Sequence, residues 1–247
     1  ELEIYFSLVD KIKKKLMKLI IPYYYRKFDL VICNSKYLGK YLKQKYGIYS
    51  KTLFPPSITV PKTNNKKFKK RNFKLSKIKI ITVCRLSKEK NINEIIRVIS
   101  QIEKDISLYV IGSGPERKNI SKLIRLLKLG NNVKLIGFKK NPYQYLIKAD
   151  LYINSSYFEG FPNSVVEAAH IGLPIIASQS HGGINEILSN GKGGTIYTNS
   201  KNLRNSINRF INHPKIFMKK SKIDKKKSFE FSLKNHVSKF EKIINII

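Results

Sequence analysis

Short apolar runs rich in β-branched residues alternate along this chain with longer segments whose apolar positions recur every three or four residues. The short runs suit strands buried on both faces of a parallel sheet, and the longer segments suit helices laid across it. Strands are predicted at 29–34, 78–83, 107–112, 132–137, 150–154, 174–178 and 194–197. Helices are predicted at about 36–46, 92–103, 116–128, 141–147, 163–171, 184–189 and 202–212. Strand and helix in this order predict a Rossmann-like, doubly wound α/β domain that takes its ligands at the carboxyl ends of the strands.

The pattern is not uniform. Around residues 57–77 it is interrupted by Pro55-Pro56, Pro61, Asn64-Asn65 and a run of lysines, which predicts a linker. Before it, residues 1–56 hold one strand and too few helices for a complete core, so they read as an incomplete N-terminal α/β portion. After it, residues 78–212 are continuous and regular. Residues 213–247 read as basic helices whose Phe231, Leu233, Val237, Phe240, Ile243 and Ile244 need a surface to cover them, and the N-terminal portion is the natural one. Near the start, Lys11 to Ile21 is a basic amphipathic pattern followed by Tyr23-Tyr24-Tyr25. Leu16, Leu19 and Ile20 form an inward stripe for the core of that portion, which is the favoured reading. The other is contact with an anionic membrane, where each lysine near the surface contributes about 1 kcal/mol.

Composition narrows the classes. A chain of 247 residues, 42% apolar and 26% charged, is neither disordered nor collagen-like. Its 49 basic against 16 acidic residues give a net charge of +33, but only 8 of the 49 are arginine, and the 41 lysines are spread along the chain. Lysine is a solvated point charge, whereas arginine is the fork that reads bases and phosphates, so a compositional bias is the favoured reading of the excess, a nucleic-acid or anionic-membrane surface is the other, and no specific nucleic-acid partner is expected. Cys33 and Cys84 sit inside apolar runs and read as buried free thiols of a reducing cytosol. The longest uncharged stretch, 168–185, is broken by Gly172, Pro174 and Gly182-Gly183 and is no membrane span. Residue 1 is Glu and no signal-peptide pattern follows it, which suggests a fragment of a longer protein.

Four strand-to-helix junctions carry candidate chemistry. After the strand LYIN comes Glu159-Gly160-Phe161-Pro162-Asn163-Ser164-Val165-Val166-Glu167. Asn163 or Ser164 is placed to cap a helix with Glu167 in its first turn, and free amides at such a terminus hold anions. Glu159 and Glu167 are each suited to accept hydrogen bonds from vicinal hydroxyls of a sugar. For Glu167 the alternative is a simple charge on the helix dipole, and spacing alone does not separate the two. After IKIITV come Arg85 and Lys90, five apart at a turn and able to reach one diphosphate. After SLYVIG, Gly112 and Gly114 let backbone approach a ligand, although the Walker lysine and the full dinucleotide fingerprint are missing. After PIIAS, Gly182 and Gly183 are placed to expose amides, and the neighbouring His181 reads as a solvated loop histidine.

Taken in order, these stretches resemble the C-terminal half of a retaining glycosyltransferase of family 4, which has the two-Rossmann GT-B fold. The resembling stretches are ITVCRLSKEKN, LYVIGSGPER, VKLIGF, ADLYINSSYFEGFPNSVVEAAHIGLPIIAS and GGINEIL, from about Ile78 to Asn212. A weaker resemblance covers DLVICNSKYLGKYLKQKYGI, similar to the last strand and helix of the family's N-terminal domain. The two glutamates with seven residues and a Gly-Phe-Pro between them make the match specific. The resemblance implies that Arg85 and Lys90 bind the donor diphosphate and balance charge on the leaving nucleotide. It implies that Gly112 and Gly114 shape the donor pocket, that Phe138 lies near the base, and that Glu159 contacts the transferred sugar. It further implies that Glu167 holds the ribose, that Gly160 and Pro162 belong to the donor-binding set, and that amides near Phe161, Asn163, Ser164 and Val165 face the sugar and phosphates. Glu159, Arg85 and Lys90 are thereby the catalytic candidates, with no metal or other cofactor required. Cys84, Asn91 and Asn185 depart from the family pattern, where Gly, Gly and Pro are common, but none removes a charged contact.

The expected function is the donor-binding half of a glycosyltransferase, taking a nucleotide sugar, most commonly a UDP-sugar, to a glycan or lipid-linked acceptor. The expected location is the cytoplasm, peripheral on the inner face of the membrane. The acceptor side is largely missing, so the chain alone is not expected to complete transfer. A nucleotide-sugar epimerase on the same architecture is the alternative enzyme. A basic nucleic-acid-binding module is the alternative from another class, and an inactive remnant of a split gene is a third.

Overall fold

The structure, a computed structural model, describes residues 8–58 and 77–245, with burial described from residue 16 onward. The chain opens with helix α1 (Leu8–Tyr25), a two-residue strand β1 (Ile32–Cys33), helix α2 (Lys36–Tyr46) and a second two-residue strand β2 (Lys51–Thr52) that pairs parallel with β1. After the 59–76 segment comes an alternating series. Its strands are β3 (Ile78–Val83), β4 (Ile106–Ile111), β5 (Val133–Gly137), β6 (Leu151–Asn154), β7 (Ile175–Ser178) and β8 (Thr195–Tyr197). Between them lie α3 (Ile92–Ile99), α4 (Arg117–Leu126), α5 (Tyr143–Leu146), α6 (Asn163–His170) and α7 (Ile184–Ile187). The chain then continues through α8 (Ser200–Asn212), α9 (Pro214–Ser228) and α10 (Leu233–Ile244).

The six later strands form one parallel sheet in the order β5-β4-β3-β6-β7-β8. The chain builds outward from β3 in one direction and resumes on the other side at β6. The β3/β6 boundary is therefore the switch point where loops diverge and leave a crevice. Successive residues of a strand face opposite sides, which explains the apolar runs. Ile80, Leu108 and Ile153 pack under α3, α4 and α8 with Ile95, Ile124 and Phe210. Ile81, Tyr152 and Ile175 pack on the other face against Val165, Val166 and Ala169 of α6.

Several sequence expectations are corrected. The strand expected at 29–34 is reduced to two residues, because Leu53 is followed by Phe54-Pro55-Pro56 and proline has no N–H to extend the β2 ladder. The helix expected at 92–103 ends at Ile99, where the Ser100 hydroxyl donates to the Arg97 carbonyl. The helix expected at 202–212 starts earlier, because the Asn199 side chain caps it by accepting from the Asn202 amide. The stripe expected to face inward from α1 does not. Leu16 and Leu19 are 55% and 71% exposed, because the adjoining core of Cys33, Leu42 and Ile48 is too small to cover them. Of the C-terminal apolar residues, Phe231 is buried while Leu233, Val237, Phe240 and Ile244 are exposed. Cys33 is a buried free thiol and Cys84 a half-buried one. The predicted linker falls almost wholly outside the described residues. No helix among the described residues is long and apolar enough to cross a membrane.

Candidate functional site

β3 and β6 are hydrogen-bonded neighbours, so the loops leaving their carboxyl ends meet. From β3 the chain runs through Cys84 to Ser87 into a 3₁₀ turn at Lys88–Lys90. From β6 it runs through Ser155-Ser156 to Glu159 and on to α6. The Ser155 hydroxyl donates to the Lys90 carbonyl at 2.7 Å, and the Tyr157 amide donates to the Glu89 carbonyl at 2.9 Å. These bonds fix the two loops as one surface. Asn91 joins the turn to α3 with φ of 47°, a left-handed conformation that asparagine tolerates, and its side chain donates to Glu94. Asparagine in place of the family's common glycine is thus compatible with the backbone.

Glu159 is 9% exposed, and three donors converge on its Oε1: Lys90 Nζ at 2.8 Å, Ser156 Oγ at 2.6 Å and Asn154 Nδ2 at 3.3 Å. A carboxylate held this way is fixed in place, with its other oxygen outside that set. Arg85 is exposed on the same β3 loop as Lys90, and its side chain makes no hydrogen bond or salt bridge among the described residues. The nearby Glu89 carboxyl is drawn below its ordinary range, first by the Ser87 hydroxyl and further by the positive charge of Lys90 and Arg85. Burial pushes the Cys84 thiol up to about 12 in spite of Lys90, so it stays protonated and is no nucleophile at neutral pH.

The glycines act through close backbone approach. A Cβ on Gly112, at φ of 140°, would lie 1.8 Å from the Cys84 carbonyl oxygen. One on Gly114 would lie 2.4 Å from the Leu86 carbonyl oxygen. These two carbonyls flank Arg85, so the glycines seat the Arg85 loop against the next turn. A Cβ on Gly182 would fall 1.4 Å from the Glu159 carbonyl oxygen, and the Gly183 amide is already given to Gly160 O at 3.1 Å. The loop 181–183 is therefore a support for Glu159, and Gly183 does not offer the free amide expected of it.

The entrance to α6 also differs from expectation. Pro162 occupies the capping position without a side-chain bond, so neither Asn163 nor Ser164 caps. The Asn163 side chain accepts from Ser57 Oγ at 2.8 Å, and Ser164 Oγ accepts from the buried Tyr152 hydroxyl at 2.8 Å. Glu167 lies in the second turn, half-buried, because the helix begins at Asn163. Val165 is fully buried. Phe161 packs with Phe54 and Phe231 at ring distances of 5.4 and 5.1 Å, so its ring belongs to the core while its backbone follows Gly160 beside Glu159. Phe138, just past β5, is 71% exposed. The structure thus gathers Lys90, Glu159 and Gly160 at the switch point, with Arg85 on the same loop as Lys90 and the α6 amides next along the chain. Asn154 and Ser156 were missed as ligands of Glu159. The signal was there in polar residues ending an all-apolar strand, where each needs a partner once buried.

The described residues contain no group of three His, Cys, Asp or Glu that could hold a metal ion. The family model for glycosyl transferases group 1 matches residues 63–227. An N-acetylgalactosaminyltransferase of Campylobacter jejuni that acts on a diphospho-undecaprenol-linked sugar is 29% identical over 181 residues, covering 72% of this chain and 49% of that protein. An uncharacterized glycosyltransferase of Methanocaldococcus jannaschii is 28% identical over 192 residues, covering 74% and 47%. The chain spans about half the length of these relatives. Among solved structures, Anabaena HepE in complex with UDP superposes with a TM-score of 0.77 at 22% identity, covering 90% of this chain and 65% of that one. Sucrose-phosphate synthase of Thermosynechococcus elongatus gives 0.79 at 21%, covering 94% and 61%. The parallel six-stranded sheet matches GT-B glycosyltransferase structures, and with two-thirds of its residues inside the family model the chain belongs to the group 1 glycosyl transferases.

Proposed function

We propose that this chain is the donor-binding half of a retaining, family 4 glycosyltransferase that takes a UDP-sugar and serves a glycan or lipid-linked acceptor. The observation that carries the reading is the Lys90–Glu159 pair, largely buried at the switch point, with the exposed Arg85 on the same loop as Lys90. In transfer, the bond between the anomeric carbon and the diphosphate breaks with its electron pair leaving on the nucleotide, an acceptor hydroxyl oxygen bonds to the anomeric carbon, and the proton of that hydroxyl passes to the departing phosphate oxygen. Arg85, Lys90 and the first amides of α6 supply positive charge where that negative charge develops. Glu159, held by Lys90, Ser156 and Asn154, accepts hydrogen bonds from hydroxyls of the sugar, and Glu167 accepts from the ribose. No metal is needed for this set of contacts. A diphospho-undecaprenol-linked substrate in one relative's name and UDP in a solved neighbour support the choice of donor and acceptor class.

Calorimetric titration of UDP, GDP and ADP into the chain, beside a Glu167→Ala variant, tests the reading. Preference for UDP that the variant loses is the expected result. Equal weak binding of all three, erased by salt and indifferent to the variant, would mean that surface lysines are collecting phosphates. The exposed Leu16 and Leu19 with Lys18 on the same helix favour a second element, contact with an anionic membrane on the cytoplasmic side. Salt-dependent binding to anionic liposomes is the outcome that supports it, and no binding at low salt would end it.

A further inference from the structure

The N-terminus of α2 is bound to the support loop of Glu159 by contacts more than 140 residues apart in sequence. The Tyr37 amide donates to Glu186 Oε1 at 3.1 Å, and the Tyr37 hydroxyl is hydrogen-bonded to His181 Nδ1 at 2.8 Å. The rings of Tyr37 and His181 lie 5.6 Å apart. Ser35, fully buried, takes the next amide of the helix, from Leu38. A carboxylate from one part of the chain and a hydroxyl from the other thus satisfy the opening amides of a single helix, with the Glu186 charge at the positive end of its dipole. One residue earlier, the Asn34 side chain sits against Gly160, where an added Cβ would meet its amide nitrogen at 3.0 Å.

From this seam the contacts lead directly to Glu159. His181 accepts from the Glu159 amide at 3.0 Å, Phe158 and His181 form a parallel bridge, and Gly182 lies under the Glu159 carbonyl. Moving α2 away would release His181 and Glu186 together and loosen the backbone that aims the Glu159 carboxylate. Glu186 Oε2 is buried without a hydrogen-bond partner among the described residues. Opening the seam would hydrate that oxygen, so the closed form is held by a small net balance and is able to respond to a ligand.

We infer that Tyr37, His181 and Glu186 form a clasp that couples the N-terminal portion to the sugar end of the donor site by positioning Glu159. These are positioning residues: they act on the hydroxyl groups of the transferred sugar through Glu159, and the inference rests on the donor reading above. The clasp makes no direct contact with the nucleotide, whose diphosphate is assigned to Arg85 and Lys90 on the β3 loop.

The test is a pair of titrations, UDP and a panel of UDP-hexoses and UDP-N-acetylhexosamines, into the intact chain and into Tyr37→Phe, Glu186→Gln and Glu186→Ala. The parent is expected to bind its preferred UDP-sugar more tightly than UDP. Tyr37→Phe and Glu186→Ala are each expected to reduce that added affinity by about five-fold, the scale of one hydrogen bond, while leaving UDP affinity unchanged. Glu186→Gln, which keeps an acceptor oxygen, is expected to retain most of it. A purely structural role would lower UDP and UDP-sugar affinity together or neither, and thermal unfolding of each variant guards against a folding defect. Tyr37→Phe removes one half-exposed hydroxyl, so it remains informative if Glu186→Ala does not fold. An unchanged UDP-sugar to UDP ratio in Tyr37→Phe would overturn the clasp while leaving the donor site standing. Failure of the parent to bind UDP at all would overturn the donor reading and the clasp with it.

Discussion

The sheet domain and the N-terminal portion of this chain are built from similar residues and reach very different states. In the first, six parallel strands bury both faces, and Ile80, Leu108, Leu151 and Ile153 have no exposed surface. In the second, two strands of two residues and a core of three buried side chains leave Leu16, Leu19, Tyr23 and Phe28 open. Burial needs area on both sides of an element, and a short ladder with two helices offers little. The N-terminal portion instead leans on the sheet domain. It does so through Phe54 against Phe161 and through Tyr37 against His181 and Glu186, and it also meets the C-terminal helices through Phe231 and through His236, whose Nδ1 lies 2.7 Å from the Phe54 carbonyl oxygen.

That contrast predicts unequal sensitivity to the same chemical change. Ile80→Ala is expected to destabilise the chain by about 3 to 5 kcal/mol in urea unfolding, because it opens a cavity among fully packed neighbours. Leu19→Ala is expected to change stability by less than about 0.5 kcal/mol. Comparable costs at the two sites would mean that α1 is buried in solution by something else.

A smaller effect distinguishes the sheet domain by pH. Asp224 in α9 is fully buried against Gly193, whose added Cβ would fall 1.6 Å from its Oδ1, with Lys220 as the neighbouring charge. Burial pushes its carboxyl up from 3.8 to about 7. The folded chain therefore keeps a proton that the unfolded chain releases. This contribution to stability is complete below about pH 4 and is lost as pH rises to about 7. Asp224→Asn is expected to recover on the order of 2 to 4 kcal/mol at pH 8 and much less at pH 4.5. An equal gain at both pH values would show that the carboxyl titrates normally.

The smallest effect concerns the strand end beside the site. Cys84 is expected to resist alkylation at pH 8 in the folded chain and to react once urea unfolds it, because burial holds the thiol protonated. Rapid modification of Cys84 under native conditions would show that the β3 loop opens.

Much of the sheet domain is legible in the sequence because its strands are short apolar runs and its helices are periodic, both of which are local signals. The meeting of Lys90 with Glu159 follows from the switch point between β3 and β6. Other features needed the third dimension. Pro162 takes the capping position of α6 and moves Glu167 into the second turn. The pairing of Tyr37 with His181 and Glu186 joins residues 144 and 149 positions apart, with no pattern between them. Asp224 looks like one more surface charge in a lysine-rich helix until α9 is seen to rest on Gly193. The stripe of α1 is periodic enough to be core, but periodicity says which residues share a face and not whether anything covers it.

The central claim is that Arg85, Lys90 and the start of α6 hold a nucleotide diphosphate over the β3/β6 boundary. A crystal structure of the chain soaked with UDP tests it most directly. The diphosphate is expected between Arg85 and the amides of Asn163 and Ser164, with Lys90 within reach and Glu167 at the ribose. UDP found elsewhere, on a lysine-rich face away from Glu159, would contradict it.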